Sequence, residues 1–443
     1  MTPEPSPLLL GLDVGSSRIK ALLLDVDGQD VGGAQVPTPF AASDAGTEAE
    51  APAIVDALVG ALSKLGEGRE RVVAVGIAGI AESGVPLDGS GRPLASVIAW
   101  HDRRGEDVAA RLADRFGPSL HRGIGQRLRY VATVAKLGWL LEHGVPIPAR
   151  WLGVPELTLH ALTGVEATEG SLAGRTGCRS VVDGRWLPDV AEAAGFSVDI
   201  FPEVGHAGDA LGTVSAQGAA RFGLRPGIPV TIAGHDHLVG LVGSGTGAAD
   251  FADSVGTAET VLCYASELPD LDQTLDRSLA VGVFPGGRGW GVLAGAARSG
   301  LAVEAAAASL GLSPRELDDL VTEAPLLEAP DLAASLERRE DPALPDGPPG
   351  RVWATLLDVL AGFTASAVDQ VSAVAGPPDR LVVFGGGAQS RPWLAAKARH
   401  VDVPVWRSGA GEAVARGAAL FAGVTAGWWS AWDTAPKPQL EPC

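Results

Sequence analysis

Two apolar runs, residues 8–12 and 19–25, flank Asp13 and a Gly15-Ser16-Ser17 turn. Short apolar runs closed by glycine and hydroxyls predict the two strands of a hairpin. Residues 71–80 (RVVAVGIAGI) and 228–237 (IPVTIAGHDH) predict further buried strands, the second with a polar tip. In residues 104–116, Val108, Leu112 and Phe116 recur every four positions, as on one helix face. The hairpin theme returns at 250–265, with Asp253, a Gly256-Thr257 turn and a second apolar run. Residues 279–295 predict another hairpin. Residues 351–376 predict one long amphipathic helix through Val352, Leu356, Val359, Phe363, Ala367 and Val371. Residues 379–400 read as strand, glycine turn and helix, and 411–423 as a closing helix of small residues.

Two halves that each begin with a Gly-Ser/Thr hairpin and continue as mixed α/β suggest duplicated domains. The expected division is 1–244 and 245–430, with GSGTG (243–247) as a hinge. Residues 328–350, rich in proline and acid, read as a surface excursion, and 431–443 as a loose tail.

Composition narrows the picture. At 443 residues the chain exceeds one simple core. Its net charge of -19 disfavours a polyanionic partner, so no nucleic-acid binding is expected. A small anion such as ATP can still be held by backbone N–H groups and one or two cations. Cys178, Cys263 and Cys443 form no CxxC pair, which points away from zinc and disulfides and towards a reducing, cytoplasmic setting. The MTPEPSP start lacks a basic leader segment, and no apolar run approaches the ~20 residues that span a membrane, so no membrane association is expected.

Asp13, Gly15, Ser16, Ser17 and Lys20 allow two readings. Glycine lets the backbone approach a phosphate, hydroxyls and N–H groups surround its oxygens, and a carboxylate beside them holds Mg2+ through water. Equally, Asp13 caps an ordinary hairpin turn. Gly256 and Thr257 form a second turn of the same kind. Asp236 ends a predicted strand, where α/β proteins place reactive groups. His235, Asp236 and His237 have metal-ligand chemistry, but adjacent residues converge poorly on one ion. Gly385-x-Gly387-x-x-Ser390, with Asp402 further on, nearly matches a dinucleotide fingerprint. The segment fits close approach to an adenosine, or tight strand–helix packing. Glu82 follows a buried strand and has the chemistry to bind hydroxyls. Trp100 offers a flat face to a polyol or is a core residue.

Taken in order, GLDVGSSRIKALLLD, PLDGSGRPLASVIAWHDRR, TVAKLGWLLEH, LTGVEATEGSLAGRTG, GLRPGIPVTIAGHDH, DSVGTAE, GGGAQSRPWLAAKARHVDVPV and EAVARGAALFAG resemble the FGGY family of carbohydrate kinases across about residues 8–425. The resemblance implies an α/β protein with a two-domain actin/hexokinase/Hsp70-like fold, duplicated ribonuclease H-like cores and an interdomain cleft holding ATP and Mg2+. It implies that Asp236 is the general base for a hydroxyl of a small sugar or polyol, a ketose such as a pentulose or a glycerol-like polyol. Glu82, Trp100, Asp236 and His237 would line the sugar site. Asp13 would serve the metal, and Gly15, Ser16, Ser17 and Lys20 the first phosphate loop. Gly256 and Thr257 would form the second loop, and Gly386, Gly387, Ala388 and Ser390 the adenosine region. A homodimer is compatible with the family. Some members place Arg-Glu after the strand, where this chain has Ala81-Glu82. Two other readings remain at this stage: an ATP-gated binding or regulatory protein of the same fold, and a NAD-type enzyme. The second expects an early glycine fingerprint, which is absent.

Overall fold

Six strands organise the first half of the chain, in the order Gly212–Thr213, Pro229–His235, Val72–Gly79, Leu8–Val14, Arg18–Leu24 and Asp30–Pro37. They belong to a computed structural model that describes residues 6–44, 46–338 and 340–443, so most of the MTPEPSP start lies outside the described residues. Leu8–Val14 and Pro229–His235 both run parallel to Val72–Gly79, while Leu8–Val14 and Arg18–Leu24 form the expected antiparallel hairpin. The parallel strands therefore end together, at Val14, Gly79 and His235.

Side-chain alternation gives the two sheet faces different partners. Leu8, Leu10, Leu12 and Val14 join a core with Ile54, Leu58 and Leu62 of the helix Ala51–Ser63. Gly11 and Gly76 face the other way, against the helix Ala413–Thr425. A Cβ on Gly11 would stand 1.8 Å from the Ala415 carbonyl oxygen, and one on Gly76 would stand 1.9 Å from that of Ala418. The small residues of 411–423 thus answer glycines on the sheet, and the helix lies almost on the strands.

This contact changes the domain division. One compact unit comprises Met1–Gly243, Ser266–Trp290 and Glu412–Lys437, and the other Ser244–Ala265, Gly291–Gly411 and Pro438–Cys443. Neither unit is one continuous segment, because the late helix Ala413–Thr425 packs on the first sheet.

The second unit orders its strands as Trp290–Gly295, Glu259–Ala265, Phe251–Val255, Leu381–Phe384, Val405–Ser408 and Leu440–Pro442. Phe251–Val255, Leu381–Phe384 and Val405–Ser408 are parallel neighbours. The tail is not loose at its end: Leu440–Pro442 pairs antiparallel with Val405–Ser408. Proline is tolerated there because an edge strand has no neighbour awaiting its N–H. The 328–350 stretch also departs from expectation, forming a helix at Pro330–Glu337 that buries Leu332 and Ser335.

The long helix spans Pro349–Ala375. By length and composition it could cross a membrane, yet it buries Val352, Leu356, Leu360, Thr364 and Val371 within the protein. The stripe runs through Leu360 and Thr364 rather than Val359 and Phe363, because Thr364 must reach Glu259 and Lys397.

Candidate active site

In the first unit, the carboxyl ends of three parallel strands bring Asp13, Glu82 and Asp236 to one edge. Asp13 lies directly opposite Lys20 across the hairpin, and both point to the face covered by the Ala413–Thr425 helix. Glu412 precedes that helix. Lys20 Nζ consequently stands 2.6 Å from Glu412 and 3.8 Å from Asp13. Burial raises the Asp13 carboxyl to about 7; Lys20 opposes the shift, and Asp236 and Glu412 reinforce it. Three carboxylates share a single nearby ammonium. Glu412 was not singled out from sequence; its only signal was its place just before the closing helix.

The Gly15–Ser17 turn is held by Gly15 N–H donating to Arg18 O at 3.1 Å and Thr38 Oγ1 donating to Gly15 O at 2.7 Å. Ser16 is half-buried and Ser17 exposed.

Asp236 begins the helix Asp236–Gly243. A register shift between Ile232 and Gly234, with Gly234 at φ +122°, re-aims the strand just before it. Burial raises Asp236 to about 7, the His237 N–H bond opposes this, Glu82 adds to it, and Arg175 and Lys20 oppose it. His235 Nε2 lies 3.3 Å from Asp236 Oδ1. Burial drives His237 down to about 4 and His235 well below its ordinary value, with Arg175 adding to both shifts. Both imidazoles are therefore neutral near pH 7. Among the described residues no group of three or more His, Cys, Asp and Glu side chains is placed to hold a metal ion.

Glu82 adopts φ +65°, a conformation that side chains rarely take. Its carboxylate receives Arg175 Nε at 2.6 Å. Sequence reading missed Arg175, which lies 93 residues away in the GSLAGRTG block. A cavity adjoins Glu82, lined also by Ser83, Thr133, Glu156, Trp151 and Thr176. The Ser83 hydroxyl is buried there without a partner among the described residues. Trp100 packs against the first core and meets His101 edge-on at 5.5 Å. It is half-buried. Lys136 of the AKLGW segment is buried and donates to Asp102 O at 3.0 Å; burial lowers it to about 8, against the pull of Asp102 and Glu82.

The second unit places Gly256 and Thr257 in the turn between Phe251–Val255 and Glu259–Ala265. Only Ala258 O, at 3.7 Å, would come near a Cβ on Gly256. Gly386 faces open space, whereas a Cβ on Gly387 would strike Val255 and Trp393 at 2.3 and 2.7 Å. Ala388 is buried in the same short 3-10 turn. Ser390 caps the helix Arg391–His400, accepting from Trp393 N–H, and donates to Asp318 at 2.9 Å. Of this group, Gly386 has the open face.

The family model described as the N-terminal domain of the FGGY family of carbohydrate kinases matches residues 8–243, and that of the C-terminal domain matches 329–426. A xylulose kinase of Streptomyces coelicolor is 29% identical, with 100% of this chain and 94% of the relative covered. An L-fuculokinase of Escherichia coli is 27% identical, covering 95% and 92%. Among solved structures, the ligand-bound xylulose kinase of Lactobacillus acidophilus aligns with a TM-score of 0.85 at 17% identity, over 98% and 93% of the two chains. The ADP-bound glycerol kinase of Plasmodium falciparum aligns at 0.81 and 16%, over 98% and 93%. These likenesses show the two-domain actin/hexokinase-type fold.

Proposed function

Because the chain belongs to the FGGY family of carbohydrate kinases, enzymes that phosphorylate a hydroxyl of a small sugar or polyol at the expense of ATP, we propose that Asp236 is the general base of that reaction. The carrying observation is a half-buried carboxylate raised to about 7 at the carboxyl end of a parallel strand, with neutral imidazoles beside it. Such a group takes a proton effectively near neutral pH. The substrate hydroxyl gives its proton to an Asp236 oxygen as its own oxygen attacks the γ-phosphorus. A new O–P bond forms, the bond to the β-bridging oxygen breaks, and ADP leaves.

Glu82 and His237 have the chemistry to bind the other hydroxyls. Trp100, half-buried, offers a flat indole face to the sugar. Lys20 and the Gly15–Ser17 turn hold phosphoryl oxygens, as do Gly256 and Thr257 in the second unit. Gly386, with open space before it, suits backbone approach to the adenosine; Gly387, Ala388 and Ser390 shape that turn. The donor chemistry at Asp13 fits Mg2+, which takes hard oxygen donors and is held by one or two carboxylates while keeping several waters. When bound, the ion neutralises charge on the polyphosphate. The names of the relatives favour a ketose as substrate.

The test is coupled ADP release with D-xylulose, L-fuculose and glycerol, for the wild type and Asp236→Asn. Sugar-dependent turnover should fall by about 10²–10⁴ in the variant. It should rise with pH through about 7 in kcat/KM, as the carboxyl loses its proton. ADP release that ignores sugar, or that Asp236→Asn leaves intact, would refute the assignment.

A further inference from the structure

We propose that Arg175 is the positioning cation of the sugar site: it aims the Glu82 carboxylate at the substrate hydroxyls. The inference rests on the kinase reading above. Ala81 leaves Glu82 without a cation beside it in sequence, and the fold brings one from the 170–176 segment instead. Arg175 Nε and Nη2 both engage Glu82 Oε1, and Nη1 donates to Gln126 Oε1. Three nitrogens of one planar fork are thus held by two distant segments, a geometry lysine lacks. Every bond that Glu82 makes among the described residues runs through Oε1, which leaves Oε2 to accept from a sugar hydroxyl. The φ of +65° at Glu82 persists because its surroundings over-determine it, and Arg175 is the side chain that grips it.

The mounting of Arg175 ties it to the base. Ser171 Oγ accepts His235 N–H at 2.9 Å, and Glu169 accepts Ser171 N–H at 2.7 Å and Gly286 N–H at 3.3 Å. The loop carrying Arg175 and the strand end carrying Asp236 therefore share one hydrogen-bonded frame. Asp236 faces the His235 ring, His237, Glu82, Lys20 and Asp13, with Glu412 behind Lys20 at the start of the closing helix. Lys20 is already shared between Glu412 and Asp13.

The experiment compares Arg175→Met, Arg175→Lys and the double variant Glu82→Gln/Arg175→Met with wild type, using D-xylulose and ATP. It records kcat, the separate KM values for sugar and ATP, and thermal stability. Arg175→Met should raise the sugar KM by about tenfold or more, with the ATP KM little changed. Arg175→Lys keeps the charge but not the planar fork and should still raise the sugar KM. The double variant should raise the sugar KM no further than Arg175→Met does, because the arginine acts through Glu82. An unchanged sugar KM in Arg175→Met would overturn the inference, as would variants that lose only thermal stability. A wild type without sugar-dependent ADP release would instead refute the kinase reading, and this inference with it.

Discussion

The two hairpins look alike in sequence and end in opposite states. In the first, Asp13 stands two residues before Gly15; in the second, Asp253 stands three residues before Gly256. Strand side chains alternate, so this one-residue offset turns the second carboxylate to the other face of its sheet. Asp13 faces Lys20 and Glu412 at the open edge. Asp253 occupies the face that Leu12 fills in the first unit, fully buried, with Lys397 Nζ at 2.7 Å. Lys397 also meets Glu259 at 2.6 Å and Thr364 at 2.7 Å, and Ser299 donates to Glu259. Burial pulls Lys397 down, but the Asp253 and Glu259 carboxylates outweigh it and hold the ammonium above its ordinary value. Burial raises Asp253 to about 7, against Lys397. One motif thus yields a partly exposed ion pair at a sheet edge, and its near copy yields a buried ionic knot.

The contrast breaks first at Lys397. Lys397→Met strands two buried carboxylates and should cost about 3–5 kcal/mol in urea unfolding. Lys20→Met should cost under about 1 kcal/mol, because its pair is partly exposed. Equal losses in the two variants would erase the distinction. In activity the order reverses. Lys20→Met removes the cation proposed to meet phosphate and should lower kcat/KM for ATP by roughly ten- to a hundredfold.

Asp13→Asn sharpens the comparison through pH. The folded Asp13 has a raised pKa, so the native state binds the extra proton and stability declines between about pH 4 and 7. Removing the charge should raise the melting temperature by a few degrees at pH 8, by roughly a third of that at pH 5, and hardly at all below about pH 4. A gain that is equal at both values would contradict the assigned burial cost. The smallest effect is expected from Thr38→Val, which loses the bond to Gly15 O and should cost about 1 kcal/mol, with a modest rise in the KM for ATP.

Much of the first-unit edge was legible in the chain. The apolar runs ending at Asp13, Ile80 and His235 identify strand ends, and parallel pairing then gathers those ends. Arg175 and Glu412 were not legible, because each reaches its partner through tertiary packing across many residues. The helix stripe was misplaced at Val359 and Phe363 for a related reason. Periodicity reports apolar faces, whereas Thr364 is buried to serve an ionic cluster. Ser390 fits a nucleotide turn in sequence, but its hydroxyl is engaged as a helix cap and by Asp318.

By itself, the order of apolar runs, glycine turns and single carboxylates determined the α/β class, the two hairpins and the candidates for a phosphoryl-transfer site, because period and turn chemistry act locally. Only the tertiary structure decided which hairpin carboxylate stands at a sheet edge and which is locked in a core, and which cation pairs with Glu82. Those outcomes depend on strand parity and on side chains delivered from distant segments, and local pattern carries no record of either.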